Sequence, residues 1–368
     1  MNINYFKFLF KKKYKYLLIV LTLLLIIFPF SLMGRKFEYI FIYPSSYKIF
    51  SPDNLMFEMF CFVIFILSIV TPVAIRNHFL NKKECDVIHS LPIKRERLFI
   101  TTYLFGFICV IALWTITFLL FLLILAIKGA QINYEFMFLF ALIMWAYALI
   151  FYSLTSFLTM LGTNKLDSKL ILIGFFVALI FLYFLLVQFK PLRVSDNRIF
   201  VYTLIPITGM FNLSSFIAKK SVKLSIEAKT IIEEMANEPY GYSYKDYLAE
   251  FPSYYLVSLI ILLVISIILL YLGYELFKKE KVERIEGITP HQIPLKIIQG
   301  IIEVGSIVPI IVFFNVPDMI IGFLFISFIH FVITFAINRK IAFNVYGFAS
   351  LGGYILLGVI LSIILNLS

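Results

Sequence analysis

Long apolar runs separated by short polar breaks fill the chain from Tyr16 to Leu365. A helix needs about 20 apolar residues to cross about 30 Å of hydrocarbon. Runs of that kind fall at Tyr16–Met33, Leu55–Ile75, Phe99–Ile127, Tyr134–Gly162, Leu170–Phe189, Tyr254–Phe277, Ile297–Val316, Met319–Ile337 and Phe343–Leu365. They predict an all-α, polytopic membrane helix bundle with nine spans. Glu303 and Pro309 interrupt the seventh run, which is the weakest. No small-residue cleavage site follows the first run, so it is expected to be a retained helix and not a signal peptide.

The polar breaks divide the chain into parts. Residues 1–15 read as an interfacial amphipathic helix, with Ile3, Phe6 and Phe10 on one face and Lys7, Lys11 and Lys15 on another. Such a helix lies along the headgroups with its lysines toward anionic lipid. The same lysines also serve as a positive flank that fixes topology. Residues 16–277 hold six spans. Within them, 76–98 reads as a short helix up to about Ser90, a break, and a second helix starting near Pro92 that runs into the third span. Leu80, Val87, Ile88 and Leu91 are its apolar points. The long segment 190–253 is expected to carry a helix near Val222–Met235, with Leu224, Ala228, Ile231 and Met235 on one stripe. Asn237–Gly241 breaks it, and Tyr240, Tyr242, Tyr244, Tyr247, Tyr254 and Tyr255 follow, as befits a water–lipid boundary. A mixed-charge linker, 278–296, separates a three-span C-terminal extension, 297–368.

Charge orients the bundle. With the N-terminus in the cytoplasm, the inside segments hold five Lys and Arg before residue 16, six in 76–98, two in 163–169, five in 278–296 and two in 338–342. The short outer loops hold only Arg35, Lys36, Lys48 and Lys128. This is the positive-inside pattern. Nine spans then put the C-terminus outside the cell membrane.

Composition agrees: 62% of residues are hydrophobic and 14% charged, with a mean hydropathy of +0.98. An average soluble domain is about half apolar and a quarter charged. A soluble enzyme, a disordered chain and a nucleic-acid-binding protein are excluded. The net charge of +11 sits at the ends of apolar runs and reads as membrane-flanking charge. Cys61, Cys85 and Cys109 are scattered and form neither a disulfide framework nor a metal motif.

The chemistry sought is mostly missing. No GxxxxGK[ST] loop occurs, so the chain has no ATP site of that type. The four histidines show no HExxH pattern, and Cys85 with His89 gives only two potential ligands. Glu233–Glu234 lacks the companions that an intramembrane prenyl-protein protease would need. Asp53 and Glu58 are the only acids at the outer ends of early spans. Inside the membrane, Glu303 and His330 stand out, because burying ionisable groups there is costly and often functional. At 1.5 Å per residue they lie about 9 and 10 Å from the cytoplasmic ends of spans seven and eight, deep enough to meet. They read as a structural hydrogen bond, or as Glu303 simply reaching the interface, or as a gate or proton-sensitive latch. In span nine, Ala349 with Gly353 and Gly358 with Ser362 have small-xxx-small spacing, which predicts close helix approach.

The six-span plan, its basic N-terminal segment, the cytoplasmic lever and the long outer loop together resemble the permease subunits of type-2 ATP-binding-cassette exporters. The local match is Lys83–Phe99, where the acidic residues Glu84 and Asp86 precede Ser90-Leu91-Pro92-Ile93 and basic residues follow. It is similar to the coupling-helix segment of Gram-positive members, as Tyr274–Gly287 is similar to their link after span six. The plan covers roughly residues 1–290, and Cys85 stands where other members more often carry an apolar residue. The resemblance implies a six-helix permease core with about three extra C-terminal helices. It implies a separate ATPase subunit, carrying ATP and Mg, that grips the 80–92 segment. Glu84 and Asp86 would offer it charge, Ser90, Leu91 and Pro92 would form the turn, and Arg95 with Arg97 would hold lipid phosphates. A second copy or a related permease would complete the pathway. No catalytic residue, no metal and no cofactor on this chain are expected. The alternative readings are an intramembrane enzyme acting on lipid or peptide, or a sensor or scaffold using 190–253.

Overall fold

The computed structural model describes residues 3–33, 39–42, 47–50, 54–77, 79–80, 82–90, 92–127, 133–162, 165–188, 202–203, 205–220 and 252–279. In the last quarter it describes 299–300, 303–304, 307, 327, 330, 349–357 and 359–360. The elements are α1 (Ile3–Met33), β1 (Tyr39–Ile42), β2 (Tyr47–Phe50), α2 (Asn54–Arg76), α3 (Lys82–His89), α4 (Arg95–Ile127) and α5 (Tyr134–Leu161). They continue with α6 (Lys165–Gln188), α7 (Pro206–Lys220) and α8 (Ser253–Lys279). Among the described residues four stretches are long and apolar enough to span a bilayer: Phe57–Arg76 and helices α4, α5 and α8. The protein is a helical membrane protein. Helices α1 and α6 cover the first and fifth apolar runs.

The helices form because hydrocarbon leaves a backbone no partner except its own i−4 carbonyl. At 1.5 Å per residue, α4 is about 50 Å long, well beyond the hydrocarbon thickness, so its polar start extends past the apolar zone. Buried share separates the helices by role. The most apolar window of α5 is 56% buried and that of α8 only 28%. Helix α5 is the more buried, whereas α8 turns Ile260, Val264, Ile267 and Tyr271 outward, as a lipid-facing helix does.

The chain divides into two compact units, 1–71 with 100–153 and 206–268, and 72–99 with 154–205 and 269–368. The first unit has an aromatic core. Phe60 packs on Phe121 at 4.8 Å and on Phe118 at 5.5 Å, and Phe57 packs on Phe140 at 5.0 Å. Trp114 stacks on Phe118 at 5.0 Å, and its Nε1–H donates to the Phe60 carbonyl at 3.2 Å. That bond satisfies the one polar atom of a fully buried indole. Tyr103 and Ser153 share a hydrogen bond of 2.7 Å in the same unit.

The second unit turns tightly at Gly162 between α5 and α6. A Cβ there would lie 2.5 Å from the Ser168 nitrogen. Ser168 Oγ donates to the Thr159 carbonyl across this turn.

One expectation changes. Residues 1–15 are not a separate helix, since α1 continues unbroken into 16–33. Nothing in 12–18 breaks the helix: neither glycine nor proline occurs there. Tyr5 and Leu9 pack inward, Ile3 and Phe10 are exposed, and Phe6 contacts Phe105 edge-on at 5.2 Å. The segment between α1 and α2 carries an antiparallel hairpin with Tyr39 opposite Phe50 and Ile42 opposite Tyr47. Part of 190–253 is α7, whose Met210, Leu213, Ser214 and Ile217 form a buried i, i+3, i+4, i+7 stripe. The expected helix at Val222–Met235, the tyrosines from Tyr240 to Tyr247 and the linker 278–296 (beyond Lys279) lie outside the described residues, as do most of spans seven and eight.

Trp114→Ala should remove both the ring packing and the bond to Phe60. The expected loss is about 3 kcal/mol, in the range for large-to-small core changes. Thermal or denaturant unfolding in detergent micelles, compared with wild type, measures it.

Candidate functional site

Two clusters in the second unit concentrate polar chemistry. The first is built around α3. Helix α2 ends as Asn77 N–H donates to Val73 O at 3.1 Å and Phe79 N–H donates to Arg76 O at 2.8 Å. Helix α3 then runs for eight residues with Glu84 in its first turn, where the helix dipole favours a negative charge. Its last bond is Ser90 N–H to Asp86 O, 3.0 Å. Pro92 and Ile93 form a bend. The Lys94 carbonyl accepts from both Arg97 and Leu98 N–H groups, so α4 starts at Arg95, later than the expected start near Pro92. Proline suits a first turn but does not require one; here the first helical bonds form on Lys94.

The two faces of α3 differ. Cys85 and Ile88, three residues apart, are buried, and Phe79 and Leu80 before them are buried too. Asp86, Ser90 and Pro92 are exposed, Glu84 and Arg95 are half-buried, and Arg97 is exposed. Leu91 lies outside the described residues. Cys85 thus occupies an apolar position, as a small hydrophobe.

An aromatic clamp fixes this end of the unit. Phe277 of α8 meets Phe79 edge-on at 5.4 Å and Phe99 at 5.6 Å, and Tyr274 meets Phe99 at 5.8 Å. One turn out, Lys278 pairs with Glu96 at 3.2 Å. That pair is solvent-exposed, so water and salt screen it, and the rings carry most of the anchoring. Gly273 lets α8 approach α5: a Cβ there would stand 3.3 Å from Met160 Sδ.

The second cluster contains Glu303 and His330. His330 Nδ1 lies 2.9 Å from Glu303 Oε1 and 3.0 Å from Oε2. The Gln299 amide nitrogen lies 3.2 Å from the same Nδ1, and Ser350 Oγ lies 3.3 Å from Nε2. Glu303 and His330 are 0% and 1% exposed, so the pair is dry. Tyr354 stands 6.3 Å from the imidazole, ring to ring. Gln299 and Ser350 were not among the sequence candidates. Gln299 precedes Glu303 by four residues and so shares its helix face. Ser350 sits seven residues into the ninth run, the depth of His330 in the eighth. Both signals were in the sequence, but a serine or glutamine in an apolar run is too common to single out.

Of the small-residue pairs expected in span nine, Gly358 and Ser362 lie outside the described residues, and Ala349 and Gly353 lie within them. A Cβ on Gly353 meets nothing within 4 Å, whereas one on Gly300 would stand 3.2 Å from the Tyr354 ring. The close approach is at Gly300, because an aromatic ring rather than a backbone fills the gap. Among the described residues no three His, Cys, Asp or Glu side chains converge on a metal-sized site.

Gly300→Val should push Tyr354 off its seat and cost about 1–3 kcal/mol, the usual penalty for overpacking. Gly353→Ala, at open space, should be neutral by comparison. Unfolding of both variants in the same detergent reads the difference. No family model, no curated protein and no solved structure matches this chain, so function rests on the residues of these two clusters.

Proposed function

We propose that this chain is the membrane-spanning permease subunit of an ATP-binding-cassette transporter, working as an exporter in the cell membrane with its N-terminus in the cytoplasm. A separate ATPase subunit drives it, carrying the ATP and Mg. A second copy of the chain, or a related permease, completes the pathway between the spans. The six spans up to Phe277 form the permease core, and 297–368 adds three more.

The observation that supports this reading is the two-faced helix α3. Its Cys85 and Ile88 are buried while Asp86 and Ser90 are exposed. It hangs between two long apolar helices on connections of five residues each, 77–81 and 90–94. Short connections transmit a pull, because they hold little slack. A partner that grips Glu84, Asp86, Ser90, Leu91 and Pro92 moves the ends of α2 and α4 together. The Phe277 clamp carries the same motion to α8. Arg95 and Arg97 face the headgroup phosphates. ATP energy enters as a shift between inward-open and outward-open populations, which requires the ATPase to bind the two states differently. Covalent catalysis plays no part in transport by this chain.

Affinity-tagged full-length chain, purified gently from its own host membrane, should carry an ATP-binding-cassette ATPase identifiable by peptide mass. The double charge reversal Glu84→Lys with Asp86→Lys should cut its recovery at least tenfold, with the permease still inserted and folded. Wild-type chain that recovers no ATPase, or equal recovery by the double variant, sinks the reading.

A further inference from the structure

The second cluster has a direction. Along it stand a carboxylate, an imidazole and a hydroxyl, each at hydrogen-bond distance from the next. An ionised carboxylate only accepts. With both Glu303 oxygens at Nδ1, that nitrogen carries the ring proton, and Nε2 keeps its lone pair. The lone pair faces Ser350 Oγ. The Gln299 amide fits the same tautomer once a half-turn puts its oxygen toward Nδ1–H, an exchange the amide permits. Burial falls along the row. Glu303 and His330 are dry, while Ser350 is exposed. A buried, oriented base behind a reachable hydroxyl is what nucleophilic catalysis by serine requires.

We propose that Ser350, His330 and Glu303 form an acyl-transfer site for an ester-linked lipid. Ser350 Oγ attacks the ester carbonyl carbon as its proton passes to His330 Nε2. The tetrahedral intermediate collapses, the bond from carbon to the alcohol oxygen breaks, and Nε2 returns the proton to that oxygen. Water then attacks the acyl-serine and gives a proton to Nε2. The bond from carbon to Oγ breaks, and Ser350 takes the proton back. Ester and water become carboxylic acid and alcohol. Ser350 and His330 are the catalytic residues. Glu303 is a positioning residue that fixes the ring and balances its transient charge.

Depth selects the substrate class. At 1.5 Å per residue, Glu303, His330 and Ser350 lie roughly 9 to 11 Å from the cytoplasmic ends of their apolar runs. An ester at the head of an acyl chain enters from the adjoining leaflet. A peptide bond at that depth would first have to give up helical hydrogen bonds in hydrocarbon. The proposal stands on this cluster and is independent of the transport reading.

Full-length protein in detergent and in nanodiscs is treated with an alkyl fluorophosphonate, and the labelled residue is located by peptide mass. Ser350 is the expected site. Ser350→Ala should abolish labelling, and His330→Asn should slow it about 100-fold or more, the usual worth of a general base. Glu303→Gln should slow labelling of the same serine, and Glu303→Asp should restore most of the rate, which a purely structural carboxylate would not do. Phosphatidylglycerol vesicles with radiolabelled acyl chains should release fatty acid with wild type and not with Ser350→Ala. No label on Ser350 in the folded wild-type protein, or equal release by Ser350→Ala, overturns the proposal. Cleavage of a membrane peptide without lipid hydrolysis overturns the lipid class and assigns a peptide instead. None of these readouts needs an ATPase, so a chain that recovers none still decides the question.

Discussion

A polar group placed in hydrocarbon has no water to bond, and its only partners are the ones the protein brings. The fold is organised around that constraint. Backbone groups are satisfied inside long helices such as α4 and α5. Several side chains meet the same demand locally or in clusters. Thr117 bonds the carbonyl of Leu113 one turn back, Trp114 bonds Phe60, and Tyr103 bonds Ser153. Glu303 and His330, the costliest groups to bury, are held by each other with Gln299 and Ser350 around them.

The same constraint explains what holds the helices to one another. Lipid tails are as apolar as leucine, so association within the bilayer depends on shape and on interhelical hydrogen bonds. Interlocked aromatic rings supply shape here. Phe57, Phe60, Trp114, Phe118, Phe121 and Phe140 interleave at centroid distances of 4.8 to 6.5 Å in the first unit. The Phe79, Phe99, Tyr274 and Phe277 group does the same in the second. The α3 lever is therefore attached at a stiff place, and the polar cluster lies in the same unit. A motor gripping the lever and a hydrolytic serine in the C-terminal extension are separable proposals about distinct residues.

Apolar runs, their length and the Lys and Arg between them were legible along the chain, because each depends on a residue's neighbours in sequence and on the surrounding solvent. Helices α2, α4, α5 and α8 lie where those runs lie. The short helix before Ser90 was legible too, from the charges around it and the Ser-Leu-Pro stop. The stripe of α7 was present at perfect helical spacing, yet its position in a long polar segment hid it. Which face of α1 turns inward was not legible, since Ile3, Phe6 and Phe10 are as apolar as Tyr5 and Leu9. A lipid-facing helix gives its outer side no polar mark.

The sequence by itself determined the solvent of this protein and its helical class. Those properties follow from hydropathy and a fixed rise of 1.5 Å per residue. Tertiary structure alone decided that Ser350 stands at Nε2 and Glu303 at Nδ1 of one imidazole, because residues 27 and 20 positions from His330 meet only through helix packing. It also decided that Gly300, not Gly353, is the point of close approach, since a ring from another stretch fills that gap.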